Sequence, residues 1–301
     1  MKIRFILSAL ACTVGSFAWA AKSVEVAPGQ AIPASIITTN NAGVFKADVP
    51  CVVPMVVVSF QTEVTEKGGS SLLGGGGINY TLEGISPALM QKIADEAQDA
   101  VESELKAGGW QVLPVEKVTA LDVYKSWIQS PDPSVEEVKR SFFSAGKATN
   151  TFSSKEMERV FVGGQRPLVG NGIVLGGWTA AASLCKMGKA IGARVILCRV
   201  LVNFAAVSAG KAGLFSGQEW RGKAGLEIGY AEMQAYPPDA SGATPARLNT
   251  DTVINMHSDF IKDVQKTRKG RNIIADPDKY EKDTVDAIRS VAKGFAGLTK
   301  K

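Results

Sequence analysis

Val52-Val53-Pro54-Met55-Val56-Val57-Val58-Ser59-Phe60 is a near-continuous apolar, β-branched run. A strand with one wet face alternates apolar and polar residues, so this one predicts a strand buried on both sides. The segments downstream of it set the fold class. Gly68 to Gly77 is rich in Gly and Ser and reads as a flexible loop. Ser86 then stands as an N-cap with Pro87 at the first helical position. Leu89, Ile93, Ala97, Val101 and Leu105 recur every four residues and form a buried helical stripe, which Gly108-Gly109 ends. Trp110 to Val115 returns as a strand, with Pro114 near its end.

Further along, Leu121 to Ile128 predicts a short helix. Pro131-Asp132-Pro133 breaks it, and Ser134 caps another helix over Glu136 to Phe143. Residues 144–178 carry little pattern beyond a short helix expected around Glu156. Regularity returns with a small-residue helix from Thr179 to about Ala190 and a second apolar strand from Arg194 to Phe204. A Gly-rich turn region is expected over Ala209 to Gly222. In the segment Lys223 to Tyr236, Ala224, Leu226, Ile228, Tyr230 and Glu232 fall on one face at period two. Pro237-Pro238-Asp239 turns the chain, and Arg247 to Met256 completes a hairpin. A helix from about Pro277 closes the chain, with Tyr280, Thr284, Ala287, Ile288, Val291 and Phe295 at helical spacing and Lys300-Lys301 complementing its C-terminal dipole. The order predicts an α/β (α+β sandwich) class: a mixed sheet with packed helices, a β-hairpin and a C-terminal helix.

The N-terminus points to export. Lys2 and Arg4 precede an apolar stretch from Phe5 to Phe17, and Ala18-Trp19-Ala20 presents small residues for cleavage before Ala21. Residues 1–20 therefore read as a signal peptide. A competing cut lies before Cys12, which would then be lipidated. Residues 21–47 read as an extended arm, and 48–298 as one domain with a variable insert at about 130–178. The net charge of +5 falls to +3 once Lys2 and Arg4 are removed, too little to argue for nucleic acid. No stretch after residue 20 is long and charge-free enough for a transmembrane helix, since Ile191 to Ala209 carries Arg194 and Arg199. The expected location is the periplasm, with association to the outer membrane left open.

No catalytic, cofactor-binding or metal-binding residue is assigned. His257 is the only histidine, which removes paired-histidine zinc and acid–base sites. Cys51, Cys185 and Cys198 fit no zinc spacing. They read first as buried small hydrophobes, with a Cys185–Cys198 bridge as the alternative. A cysteine acting with His257 is formally open, but nothing in the sequence brings them together. Gly170 to Gly177 lacks the strand and the Lys-Ser/Thr ending of a phosphate loop. Asp276 and Asp278 near Glu281 read as a helix start with favourable charge. Asp95, Glu96, Asp99, Glu102 and Glu104 read as the solvated face of the first helix. The basic run Lys262 to Arg271 lacks the aromatics of a single-strand nucleic-acid groove and reads as solvated.

The linear order resembles the curli secretion-channel (CsgG-like) family. Four pieces carry the likeness: Val56 to Phe60 followed by a long helix; Gly108-Gly109-Trp110-Gln111-Val112-Leu113-Pro114-Val115-Glu116-Lys117; Ala190 to Leu197, a helix end running into a strand; and the hairpin of Ala231 to Tyr236 with Ala246 to Ile254. The resemblance implies a non-enzyme of the cell envelope with an α/β periplasmic domain, oligomeric, acting in secretion or assembly. Two departures stand out. Cys12 is a poor match to the family's anchoring cysteine, and residues 144–178 and 203–223 lack the alternating run of ~10 residues that a membrane strand carries. The expected partners are envelope proteins, including further copies of this chain. The alternative function is a soluble periplasmic binding protein for a small apolar or lipid ligand.

Overall fold

The computed structural model describes residues 23–45, 49–67, 77–129, 135–138, 153–161, 166–167, 178–213, 217–238, 245–250, 252–268 and 270–298. In chain order the strands are β1 (Ser23–Val26), β2 (Thr38–Asn40), β3 (Cys51–Lys67), β4 (Gly77–Glu83), β5 (Ile128–Gln129), β6 (Val135–Val138), β7 (Ser153–Phe161), β8 (Arg166–Pro167), β9 (Arg194–Gly213), β10 (Gly217–Tyr236), β11 (Ala246–Thr250), β12 (Val253–Met256), β13 (Ile261–Thr267) and β14 (Gly270–Ala275). The helices are α1 (Pro87–Ala107), α2 (Glu116–Thr119), α3 (Asp122–Trp127), α4 (Trp178–Ile191) and α5 (Pro277–Leu298). The main sheet is mixed and runs β1-β12-β10-β9-β3-β4-β14-β13. The α+β class is as expected from sequence.

β3 is central and buried on both faces. Val53, Val56, Val58 and Phe60 join the core under α1 and α5, while Val52, Met55 and Val57 join a second core under α2, α3 and α4. Its alignment with parallel β9 shifts between Val52 and Met55, where Pro54 has no N–H to offer the ladder. Gln98 of α1 relieves this point by donating from Nε2 to the Val53 carbonyl at 3.0 Å. The helix itself starts as predicted. The Ser86 side chain accepts from the Leu89 N–H, Pro87 comes next, and Gly109 takes φ +88° just past the end.

Several expectations need correcting. Trp110 to Val115 is not a strand. Only Val112 bridges to Cys51, because Pro114 cannot donate and Val115 already precedes α2. The helix expected over Glu136–Phe143 is contradicted where it is described, since Val135–Val138 is β6. The helix expected around Glu156 is β7, which lies antiparallel to β3 from Val57 opposite Phe161 to Glu66 opposite Ser153. Glu, Met and Arg favour helix locally, but the long edge of β3 supplies a ladder that overrides that preference. The loop expected up to Gly77 gives way to β4 there, and residues 68–76 lie outside the described ones. The basic run at 262–271 is a hairpin, β13–β14. The run Arg247–Met256 is two strands, β11 and β12, both paired with β10. The signal peptide, Gly170–Gly177, Lys300 and Lys301 lie outside the described residues.

The described part of the arm expected at 21–47, residues 23–45, carries two short strands and is docked. β1 adds parallel to β12, and β2 adds antiparallel to β11. Ile32 is buried against α5, with its N–H donating to the Ser290 carbonyl at 3.1 Å. The Gly29 N–H donates to Ser290 Oγ at 3.0 Å.

Candidate functional site

The chemistry of the described residues concentrates on the α2–α4 face of β9, β10 and β11. Glu232 is 3 % exposed and sits directly opposite Arg199 in the β9–β10 register. Arg199 Nη2 donates to Glu232 Oε2 at 2.8 Å and to the Tyr230 hydroxyl at 3.3 Å. Its guanidinium carbon lies 5.0 Å from the Tyr230 ring centroid. Gln234 Nε2 donates to Glu232 Oε1 at 2.9 Å, and the Tyr236 hydroxyl donates to Gln234 Oε1 at 2.6 Å. Arg247 Nε of β11 approaches Glu232 Oε1 at 3.7 Å. Burial, with Glu232 adding to it, raises the Tyr230 hydroxyl above its usual range, and burial raises that of Tyr236 further. Both phenols are therefore neutral donors and acceptors at physiological pH.

A bulge creates this stripe. Strict alternation would put Leu226, Ile228, Tyr230 and Glu232 on one face. The register slips on either side of Glu227–Ile228, between Ala224 and Glu227 and again between Ile228 and Tyr230. Leu226 and Ile228 enter the α1/α5 core, together with Ala231, Met233 and Ala235. Tyr230, Glu232, Gln234 and Tyr236 consequently turn to the opposite face, and Tyr236 joins the second core. The expected single face is corrected accordingly. Gly229 sits at this slip, where a Cβ would come 2.5 Å from Asn203 Nδ2, so a side chain here would push the Asn203 amide aside.

Above the stripe, β9 and β10 continue as a ribbon. The Gly-rich turn region expected over Ala209–Gly222 is corrected: where described, it is strand, paired from Ala206 opposite Lys223 to Gly213 opposite Gly217 with one register shift between Gln218 and Trp220, and residues 214–216 lie outside the described ones. β3 leaves β9 after Phe60 opposite Val202, and β12 leaves β10 after Glu227 opposite Asn255. Past those points the two arms pair only with each other among the described residues. Eight residues on the β9 arm and seven on the β10 arm, at ~3.3 Å rise, make a ribbon of roughly 23–26 Å. Among the described residues, both of its outer edges carry backbone donors and acceptors without a strand partner.

The residues that the sequence singles out do not converge. His257 is exposed after β12. Cys51, Cys185 and Cys198 are buried, and none is in a disulfide. Cys198 lies in the α1/α5 core and Cys185 in the other, so the sheet separates them and the alternative bridge is not formed. Burial pushes the Cys51 thiol up to about 12, which opposes a nucleophilic thiolate. Asp276 accepts from the Lys279 N–H at 3.3 Å as a helix cap, and Glu281 pairs with Lys92 at 2.6 Å. Among the described residues no group of three or more His, Cys, Asp or Glu side chains is placed to hold a metal, and no helix is long and apolar enough to cross a membrane. Sequence reading missed the Arg199–Glu232–Gln234–Tyr236 ladder. Its signal was alternation of polar residues in Tyr230 to Tyr236, masked by the parity change at Gly229. No protein-family profile, characterised protein or solved structure matches this chain.

Proposed function

We propose that this is a non-catalytic protein of the bacterial cell envelope, acting in secretion or assembly, whose β9–β10 ribbon joins it to further copies of the same chain. The ribbon carries the reading. A two-stranded ribbon is marginally stable alone in water, and two open edges invite strand addition. Below the ribbon, where β3 and β11 still flank the pair, Arg199, Glu232, Gln234 and Tyr236 tie β9 to β10 by side-chain hydrogen bonds. A ribbon that continues two strands of the main sheet and is open along both sides among the described residues suits a head-to-tail contact that closes into a ring. The order of elements that resembles the curli secretion-channel family supports the same reading. Lys211 and the run of small residues Ala206 to Gly213 favour protein neighbours over lipid for this ribbon. Export through residues 1–20 would place the protein in the periplasm, in association with the outer membrane through its partners.

The test uses the chain from Ala21, studied by light scattering and native mass spectrometry. A multimer of defined number is expected. Replacing residues 206–223 by an Asn-Gly turn should give a monomer with the same circular dichroism. A strict monomer at high concentration, with no partner recovered by crosslinking in the envelope, would overturn the reading.

A further inference from the structure

The opposite end of the sheet carries a second open edge with a different chemistry. β13 is the terminal strand and pairs with β14 alone among the described residues. From Lys262 to Thr267 its side chains are exposed on both faces, and Val264, at 39 %, is the exposed large hydrophobic of the described chain. Lys262, Lys266, Arg268 and Arg271 are exposed, and none has a carboxylate within 4.0 Å among the described residues. Elsewhere Lys92, Lys106, Lys279, Lys282 and Arg289 all have one.

Register sharpens the contrast. Lys266 stands directly opposite Arg271, and Val264 directly opposite Ile273, so Lys266, Arg271 and Val264 share one face. Like charges placed opposite one another destabilise an antiparallel pair. Arg271 in turn lies beside Tyr80 of β4, which brings no compensating charge. The single carboxylate of the described ribbon, Asp263, is turned to its own strand. Its Oδ1 accepts from the Val264 N–H at 2.8 Å and its Oδ2 from Gln265 Nε2 at 3.3 Å. Lysines on an edge strand ordinarily keep other strands away. Two cations held against each other across the ladder exceed that purpose and create a site that an incoming anion relieves.

We propose that the β13 edge docks an acidic, extended polypeptide segment, which adds as the next strand. Its carboxylates neutralise Lys266 and Arg271, its apolar side chains cover Val264, and its backbone takes the place of Asp263 at the Val264 N–H. The proposal is independent of the β9–β10 ribbon, which rises from the middle of the strand order.

The probe is a labelled, end-blocked Glu-Val peptide of eight residues, Glu-Thr-Val-Thr-Glu-Thr-Val-Thr, whose Glu and Val share one face of the strand, followed by fluorescence anisotropy on the chain from Ala21. Saturable binding is expected, weakening as salt rises. The Lys-Val counterpart should not bind, and a backbone N-methylated Glu-Val peptide should bind at least tenfold more weakly. Lys266→Glu/Arg271→Glu should lose at least tenfold with the fold retained by circular dichroism, and Lys266→Gln/Arg271→Gln several-fold. Asp263→Ala should bind several-fold tighter. The shortened-ribbon variant, lacking 206–223, should bind unchanged. Absence of binding, equal binding by the charge-reversed protein, equal binding of the N-methylated peptide, or binding only to phosphatidylglycerol vesicles would each overturn the proposal.

Discussion

Arg199 and Glu232 face each other across β9 and β10 with side chains 16 % and 3 % exposed, so their attraction works in a largely dry setting. Such a pair is stabilising only while both members are present. Taking one away leaves a buried charge, at a cost of about 3–5 kcal/mol. Arg199→Met should therefore destabilise the protein by about 3 kcal/mol in urea denaturation, softened by Arg247 at 3.7 Å and the Gln234 amide. Arg199→Met/Glu232→Leu should lose clearly less than the sum of the two single changes. Additive losses would mean that the pair has no coupling to explain. None of this was legible in the residue types. Arg199 reads as a charge interrupting an apolar strand, and Glu232 as the polar end of an alternating one. Cross-strand register brings them together.

At the scale of elements, the N-terminal arm shows how a segment without periodicity acquires a fixed place. Ile32 packs against Gly294 of α5, where a Cβ would run into both the side chain and the backbone of Ile32. The arm is held further by hydrogen bonds to Ser290 and by Lys293 Nζ donating to the Gly29 carbonyl at 3.2 Å. Gly294→Ala should lift the arm from the helix at a cost of about 1–3 kcal/mol, the range for overfilling a packed site. Faster amide exchange at Gly29 and Ile32, with α1 unchanged, would be the signature. Unchanged exchange there would show that the arm is held elsewhere. α1 and α5 were legible because helical spacing, caps and breakers are local. β7 was not legible because its strand pairing is supplied by β3, nor β6 because its pairing is supplied by β7 in turn, nor β13–β14 because exposed polar strands carry no alternation.

At the scale of the molecule, the sheet divides the interior into two cores, and the three described thiols are shared between them. Cys51 and Cys198 lie under α1 and α5, and Cys185 lies under α2–α4. With the Cys51 thiol raised to about 12, its thiolate is on the order of 10⁻⁴ of the population at pH 8. Alkylation at Cys51, Cys185 and Cys198 should therefore track global unfolding rather than pH, read by peptide mapping after pulses in rising denaturant. Rapid labelling of the native protein, or a Cys185–Cys198 disulfide in its peptide map, would contradict the two-core arrangement.

The sequence by itself determined the α+β class, the double burial of Val52 to Phe60, the bounds of α1 and α5 and the buried character of the cysteines. Each of these depends on neighbours within a turn or a strand, where spacing and caps act over a few residues. Tertiary structure alone decided the parity change at Gly229, the Arg199–Glu232 clamp, the length of the β9–β10 ribbon and the opposition of Lys266 to Arg271. These depend on register between strands, and a one-residue slip exchanges the two faces for every residue beyond it.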